Sequence, residues 1–320
     1  MKQLIIFSIM FLFLLVVQGY WSYKFNIFNK NTSLSSDEKD NDKYYKYLVN
    51  FGQRLKMTWT IYVVLGLAFS LGFFGLTIFF MLISFLALRE FVSIMHLKAS
   101  DYWPMFCSFY IFLPLQYFFV MTDVQFLFFI FIPVYVFLLS PMLSVLAEDN
   151  EQFFERASKF QWAQIACIYC ISYLPAIAGL SLKGGTFESS TLLIYFIAVI
   201  SASDSFQYIF GNIFGKKKIS EKLSPNKTWE GTIYGILTAS VLGSALFWLT
   251  PFTWWQSLLL SFAITVIGFL GGLVLSGIKR SLKIKDWSDV LGAHGGILDR
   301  VDAMIFAAPL FYHMVKYFFS

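Results

Sequence analysis

The stretch that decides the fold of this chain runs from Ser276 to Asp302. It reads Ser276-Gly-Ile-Lys-Arg280, then Ile284-Lys-Asp-Trp287, then His294-Gly-Gly-Ile-Leu-Asp-Arg-Val-Asp302. Basic and acidic side chains are interspersed here between two apolar segments, together with a glycine-rich turn. Because hydrocarbon tolerates such charges poorly, we expect the stretch at the membrane surface or in a water-filled cavity.

The mixture of cations and carboxylates in this stretch suits the binding of phosphates and a divalent metal ion. A simpler interpretation is a cytoplasmic loop that is basic only because such loops orient membrane proteins. The histidine, the glycines and the i, i+3 spacing of Asp299 and Asp302 favour the ligand site.

The composition is that of an integral membrane protein. Of 320 residues, 58% are hydrophobic and only 13% are charged, with a mean hydropathy of +0.67. Soluble domains carry about 25% charged residues. Repeated apolar runs predict an all-α, polytopic transmembrane helical bundle of roughly ten spans. The net charge of +5 indicates topology and contact with anionic lipid, and no nucleic-acid partner is expected.

The chain is predicted to divide into two parts. Residues 1–57 are predicted to form an N-terminal anchor span and a polar cytoplasmic linker, and residues 58–320 a transmembrane domain. Two short spans are expected between Trp59 and Met95, separated by a break at Gly72 and Gly75. The further spans are expected at about 103–121, 123–145, 161–182, 188–210, 230–250, 255–278 and 301–319.

The basic segments test this topology. They are the N-terminal linker, Lys216 to Lys227, and Lys279 to Arg300. Even numbers of predicted spans separate them, so all three lie on one face, which the distribution of positive charge makes cytoplasmic. We therefore expect a multi-pass membrane protein with these three basic segments facing the cytoplasm.

Two acidic residues lie inside apolar segments. Glu90 is expected to pair with Arg89 at the cytoplasmic end of a span, where interfacial placement and a functional role both fit the sequence. Asp204 has Ser201 and Tyr208 on the same side of its helix. A carboxylate within a membrane segment indicates a functional site, and a helix-to-helix hydrogen bond is the structural alternative.

A basic segment follows the helix of Asp204. It contains Lys216-Lys-Lys218 and then Ser224-Pro-Asn-Lys-Thr-Trp-Glu-Gly231. Serine caps helices and proline favours the first helical position, so a helix is predicted to start at Ser224. Free N–H groups at that start, with Lys227 and Thr228 beside them, would form an anion site. The lysine run alone is also explained by topology.

Both segments resemble the signatures of the phosphatidate cytidylyltransferases, the CDP-diacylglycerol synthases. The later segment shares Ser276, Lys279-Arg280, Lys285-Asp286, His294-Gly295-Gly296 and Asp299-Arg300-Val301-Asp302. The earlier segment shares Asp204, Tyr208 and Gly211, then Phe214-Gly215-Lys216, then Ser224-Pro225-Asn226-Lys227-Thr228-Trp229-Glu230-Gly231. The resemblance covers roughly residues 58 to 316, with the motifs in the same order.

The resemblance implies an enzyme that transfers CMP from CTP to phosphatidic acid, giving CDP-diacylglycerol and pyrophosphate for phospholipid biosynthesis. It implies Mg²⁺ as cofactor, with the presence of a second cation left open. The expected metal ligands are Asp204, Asp299 and Asp302. The expected catalytic residues are Lys227, Ser276, Lys279, Arg280 and Asp299. The residues expected to bind the substrates are Ser224, Asn226, Lys227, Thr228, Lys285, His294, Gly295, Gly296 and Arg300.

The expected partners are CTP, phosphatidic acid in the inner leaflet and the membrane itself, and a homodimer is left open. His294 is either a hydrogen-bond donor to pyrophosphate or a structural pin of the glycine-rich turn. Sequence does not decide between these two roles.

The chain departs from the family pattern at several positions. The family commonly has an aspartate where this chain has Gly272, one helical turn before Ser276. The glycine either removes a metal carboxylate or belongs to a small-residue stripe, Gly268, Gly272 and Ser276, for close helix packing. Gln207 and Ala303 also replace residues that are usual in the family.

Three alternatives follow from these observations. The first is a catalytically degenerate homologue that binds lipid phosphate or nucleotide without turnover, and Gly272 motivates it. The second is a cytidylyltransferase for a different lipid phosphate. The third is a transporter, which the clustering of polar residues on one face instead of the midplane disfavours.

Overall fold

The computed structural model describes residues 63–95, 98–146, 149, 151–182, 189–288 and 295–320, with isolated positions between 15 and 60. The predicted anchor and linker, residues 1–57, lie outside the described residues except at those isolated positions. Within the described residues the chain forms eight helices of at least 17 residues and one hairpin. They are α1 (Gly72–Ile94), α2 (Ala99–Met121), α3 (Gln125–Val145), α4 (Phe153–Ala178), α5 (Ser189–Phe214), β1 (Lys218–Ser220), β2 (Ser224–Thr228), α6 (Trp229–Ala245), α7 (Trp254–Ser281) and α8 (Leu298–Phe319).

Six of these helices are long and apolar enough to cross a membrane, namely α1 to α5 and α7. The predicted helical, multi-pass class is confirmed, whereas the predicted number of about ten spans is not confirmed within the described residues. α6 has 17 residues. At 1.5 Å per residue it is about 26 Å long, at the short end of the lengths that cross a bilayer. α8 begins with the charged residues Asp299, Arg300 and Asp302.

The break predicted in the first apolar run falls at Gly72. This residue has a φ of +67°, a conformation that glycine adopts readily and other residues rarely adopt. Leu71 before it is in a turn, so the helical residues 63–70 end there and α1 begins. Gly75 continues α1, which is one helix of 23 residues and not a short span.

Buried polar side chains join the helices inside the bundle. The Nε2 of Gln164 on α4 donates to the hydroxyl oxygens of Ser108 on α2 and Ser140 on α3, at 2.8 and 2.9 Å. All three side chains are buried. Because lipid offers no hydrogen-bond partners, these contacts stabilise one arrangement of the three helices. In α2 and α4 the contact lies at the start of a π-helical turn.

The basic segment after α5 forms a β-hairpin, and the helix predicted to start at Ser224 starts later. β1 and β2 are antiparallel, with Lys218 opposite Thr228. α6 begins at Trp229, and the Thr228 hydroxyl caps it by accepting the N–H of Gly231 at 3.3 Å. The predicted start at Ser224 is wrong, because pairing with β1 holds this segment in an extended conformation.

Glycines allow α6 to cross α5 closely. A Cβ atom added at Gly235 would lie 2.6 Å from the backbone nitrogen of Gln207, and one at Gly231 would lie 2.5 Å from the Cα of Gly211. The two backbones are therefore nearly in contact, as small residues permit between membrane helices. This crossing brings β2 beside the half of α5 that carries Asp204.

Arg156 on α4 joins the segment before α4 to the start of α2. Its Nη1 donates to the Oδ2 of Asp149 at 2.7 Å, and its Nε lies 3.4 Å from the Oδ1 of Asp101. The Ser100 hydroxyl also donates to Asp149, at 2.9 Å. The Arg156 guanidinium and the Ser100 hydroxyl hold the pKa of the Asp149 carboxyl well below its usual range.

This lowered pKa predicts a pH-dependent contribution to stability. We expect Asp149→Asn to lower the melting temperature of the purified protein by a few degrees at neutral pH. An unfolded aspartate has a pKa of about 3.9. The stabilisation is therefore complete above that value and is lost as the pH falls through the lower pKa of the folded state. Melting curves across this range should show the difference between wild type and variant narrowing below about pH 4.

The control for this prediction is Glu151→Gln, which removes an exposed carboxylate two residues away. It should change the melting temperature less than Asp149→Asn at neutral pH. If the difference in melting temperature between wild type and Asp149→Asn stays constant as the pH falls below about 4, the lowered pKa of Asp149 does not stabilise the fold.

Candidate active site

The last turn of α7 presents two cations toward α8 and the hairpin. The Nζ of Lys279 lies 2.7 Å from the Oδ1 of Asp299 on α8, and the two side chains are only 12% and 9% exposed. Arg280 donates to the carbonyl oxygens of Leu223 and Ile284, at 3.4 and 3.1 Å. Arg280 thus joins the hairpin to the end of α7. The two basic segments that charge placement assigned to one face are in contact.

Asp299 organises the turn before α8. Its Oδ1 accepts from Lys279, and its Oδ2 accepts from the backbone N–H groups of Trp287 and Gly296, each at 3.0 Å. Gly295 in this turn has a φ of +74°, and an added Cβ would lie 3.0 Å from the same Oδ2. Both carboxylate oxygens of Asp299 therefore have donors from this chain.

Asp302, one helical turn later, lies beside the space at the Cβ position of Gly272 on α7, which we call the opening. A Cβ added at Gly272 on α7 would lie 3.6 Å from the Nζ of Lys227 on β2 and 3.9 Å from the Oδ2 of Asp302. The Lys227 ammonium lies 5.0 Å from the centre of the Phe269 ring, a cation–π contact. The Oδ1 of Asp302 accepts the N–H of Ala303 at 2.7 Å. Its Oδ2 is the oxygen nearest the opening.

Asp204 acts on the same opening from α5. Its carboxylate is close enough to interact electrostatically with Asp302, Lys227 and Arg300. Four separate elements, α5, β2, α7 and α8, therefore contribute to one charged region.

The acidic residues of this region fit a magnesium ion that is held partly by substrate. Within the part of the chain that the structure describes, no three histidine, cysteine or acidic side chains gather closely enough to hold a metal ion. Both oxygens of Asp299 accept donors from the chain, whereas Asp204 and Asp302 are two described carboxylates of this region that are candidates for sharing an ion. Mg²⁺ is usually bound through one or two carboxylates, with water and substrate phosphates completing its coordination. The predicted role of Asp299 as a ligand stays a prediction.

The sequence of residues 52–318 matches the cytidylyltransferase family. The chain belongs to this family. It is 33% identical over 272 residues to the uncharacterised protein YnbB of Escherichia coli K12, a match that covers 82% of this chain and 87% of YnbB.

Two phosphatidate cytidylyltransferases are also similar. The enzyme of Bacillus subtilis is 38% identical over 160 residues, which are 48% of this chain and 57% of that enzyme. The enzyme of Aquifex aeolicus is 43% identical over 125 residues, which are 39% of this chain and 47% of that enzyme. The match spans about half the length of these two relatives. The predicted family and its class, the CTP-dependent nucleotidyltransferases, are confirmed.

The hydroxyl groups predicted in the site of this cytidylyltransferase are engaged locally. Ser276 donates to the carbonyl oxygen of Gly272 at 2.7 Å, a bond within α7. Thr228 caps α6 through Gly231. Ser224 begins β2 and is half-buried.

The remaining predicted substrate-binding residues have mixed positions. Lys285 and Arg300 are exposed. His294 lies outside the described residues, as does the side chain of Asn226. Gly296 is buried in the turn before α8.

Glu90 is the buried acid whose partners could not be predicted. It is 3% exposed and accepts hydrogen bonds from the Ser288 hydroxyl at 2.6 Å and from the N–H groups of Ile297 and Leu298, each at 2.9 Å. The expected pair with Arg89 is wrong, because the carboxylate faces the start of α8 while Arg89 is exposed. Its apolar surroundings indicated an unusual acid, but its donors lie about 200 residues away in the sequence.

Proposed function

We propose that this protein transfers CMP from CTP to phosphatidic acid at the cytoplasmic face of the inner membrane. The observation that supports this most is the convergence of Lys227 and Asp302 around Gly272, beside the pair of Lys279 and Asp299. Cations for phosphates and carboxylates for a metal ion meet there, at the ends of membrane helices. The names of the Bacillus and Aquifex relatives support a lipid phosphate as the acceptor.

The proposed reaction needs no protein nucleophile. An oxygen of the lipid phosphate attacks the α-phosphorus of CTP, and the bond from that phosphorus to the β-phosphate oxygen breaks. Pyrophosphate leaves with the electron pair, and the new P–O–P bond forms CDP-diacylglycerol. Because both reactants are anions, catalysis depends on holding them together and on stabilising the developing charge.

In the proposed reaction the lysines bind phosphate groups and the carboxylates hold the metal ion. Lys227 forms no direct ion pair with a described carboxylate, and its longer-range electrostatic interactions with Asp204 and Asp302 leave its ammonium available to the triphosphate. Lys279 is held in place by Asp299, which keeps a cation at the edge of the opening. Asp204 and Asp302 would hold Mg²⁺, and Mg²⁺ neutralises phosphate charge when bound.

The placement at a membrane surface fits the acceptor. The basic hairpin and the end of α7 lie together, and positive segments of this kind are retained in the cytoplasm. The acyl chains of the lipid stay in the bilayer beside the helices while its phosphate reaches the opening.

The test is turnover by the purified protein in liposomes with CTP, Mg²⁺ and phosphatidic acid. We expect release of pyrophosphate and formation of CDP-diacylglycerol. A parallel panel contains an ether-linked phosphatidic acid and an isoprenyl phosphate. Turnover with one of these and not with phosphatidic acid would overturn the proposed substrate, and no turnover with any acceptor would favour the degenerate homologue.

Gly272→Asp provides a second arm of this experiment. The added Cβ would make only ordinary contacts with Lys227 and Asp302, so this backbone position accepts a side chain without a clash at Cβ. If only Gly272→Asp is active, the wild-type chain is inactive because it lacks an aspartate at this position.

A further inference from the structure

We propose that Glu90 is a positioning residue for the phosphate-binding side chains, an inference that rests on the function proposed above. Glu90 lies near the end of α1 and is not among the residues that surround Gly272. Its carboxylate instead holds both flanks of the connection between α7 and α8. On one flank it accepts from Ser288, and on the other from Ile297 and Leu298.

The first point of the argument is how α8 begins. The first N–H groups of a helix have no partner within the helix and need an acceptor from elsewhere. Ile297, the residue before α8, supplies no side-chain cap. Glu90, which belongs to α1, caps α8 instead by accepting hydrogen bonds from the N–H groups of Ile297 and Leu298 at 2.9 Å. A negative charge at a helix start is also favoured by the helix dipole.

The second point is the close packing of the turn on this carboxylate. A Cβ added at Gly296 would lie 2.6 Å from the Oε2 of Glu90. Phe91, the next residue of α1, stacks on the ring of Trp287 with centroids 4.8 Å apart. The end of α1 therefore fixes the turn through a hydrogen-bonded acid and an aromatic contact.

The third point is that residues on both flanks of the connection also hold Asp299. The N–H groups of Gly296 and Trp287 both donate to the Oδ2 of Asp299, whose Oδ1 accepts from Lys279. Leu298, held by Glu90, is the residue immediately before Asp299. Glu90 thus acts on the Lys279 ammonium through the turn, without touching either substrate.

The experiment compares Glu90→Ala and Glu90→Gln with wild type in the pyrophosphate-release assay. We expect Glu90→Ala to lower kcat about 100-fold, because small displacements of positioned groups cost rate on this scale. Glu90→Gln retains one carbonyl oxygen as an acceptor, so its kcat should fall between wild type and Glu90→Ala. In both variants we expect a smaller change in the KM for CTP, because Lys227 and Asp302 remain in place.

Hydrogen–deuterium exchange gives a readout that does not depend on turnover. The amides of Ile297 and Leu298 should exchange at least about tenfold faster in Glu90→Ala than in wild type, because they lose their acceptor. If wild type is inactive, the proposed function fails by itself. The role of Glu90 is then decided by the exchange measurement and by comparing the affinity for Mg²⁺–CTP between wild type and the Glu90 variants.

The matched control is Gln164→Ala, which removes another buried polar side chain with two hydrogen bonds, distant in sequence from this turn. It should lower the melting temperature and leave kcat unchanged below the melting transition. If Glu90→Ala fails to fold, Glu90→Gln carries the comparison. Wild-type kcat in folded Glu90 variants, or unchanged exchange at Ile297 and Leu298, would overturn the proposal.

Discussion

Replacing Asp302 by asparagine is expected to reduce kcat for CMP transfer about 1,000-fold, the upper end of the effect of losing one electrostatic contact in a transition state. The variant keeps the shape of the side chain and the acceptor for the N–H of Ala303, so the start of α8 should stay folded. What it loses is the negative charge at the opening beside Gly272 and Lys227. Of the two carboxylates proposed to hold Mg²⁺, only Asp204 would remain.

The measurement is the initial rate of pyrophosphate release as the concentration of Mg²⁺ is varied. We expect the variant to need more Mg²⁺ for half-maximal rate, in addition to the loss of kcat. Asp123→Asn is the control, because it makes the same chemical change between α2 and α3 at a residue with a φ of +54°, which asparagine tolerates. An Asp302→Asn variant that retains wild-type rate and Mg²⁺ dependence would remove Asp302 from the site.

Replacing Lys227 by methionine is expected to lower kcat/KM for CTP about 100-fold, the lower end of the same range. Methionine preserves much of the side-chain length and the contact with the Phe269 ring, so packing changes little. The ammonium is lost, and with it the cation nearest the Cβ position of Gly272. Because the effect is electrostatic, Lys227→Arg should recover part of the activity.

The control for this prediction is Lys222→Met, which removes an exposed lysine from the turn of the same hairpin. It leaves the opening unchanged and should retain wild-type kcat/KM. If Lys222→Met and Lys227→Met have equal effects, the hairpin acts only as a general positive surface, and a specific role for Lys227 is wrong.

The membrane helices could be predicted from sequence because a long apolar run in a bilayer satisfies its backbone hydrogen bonds by forming a helix. The break at Gly72 followed from the conformational freedom of glycine. The hairpin did not follow, because the start signal at Ser224 is local while the pairing of β2 with β1 depends on contacts across the turn. The number of spans is harder to predict, because hydropathy alone does not distinguish a short apolar helix such as α6 from a full crossing.

The charged site could be predicted as a set of residues but not as an arrangement. Asp302 and Lys227 do meet at Gly272, whose unusual identity was visible in the sequence. Asp299 was predicted as a metal ligand, yet its oxygens accept from Lys279 and two backbone groups. Such assignments depend on the direction of each carboxylate oxygen, which neither spacing nor composition determines.

The hydrogen bonds of Glu90 also bear on how the protein is made. Its acceptor atoms belong to α1, whereas the donors at Ile297 and Leu298 are synthesised more than 200 residues later. During co-translational insertion, α1 therefore enters the membrane with a carboxyl group that still lacks these donors. Asp299 and Asp302 arrive together with α8, so the nascent chain completes the proposed catalytic centre only at the last described helix.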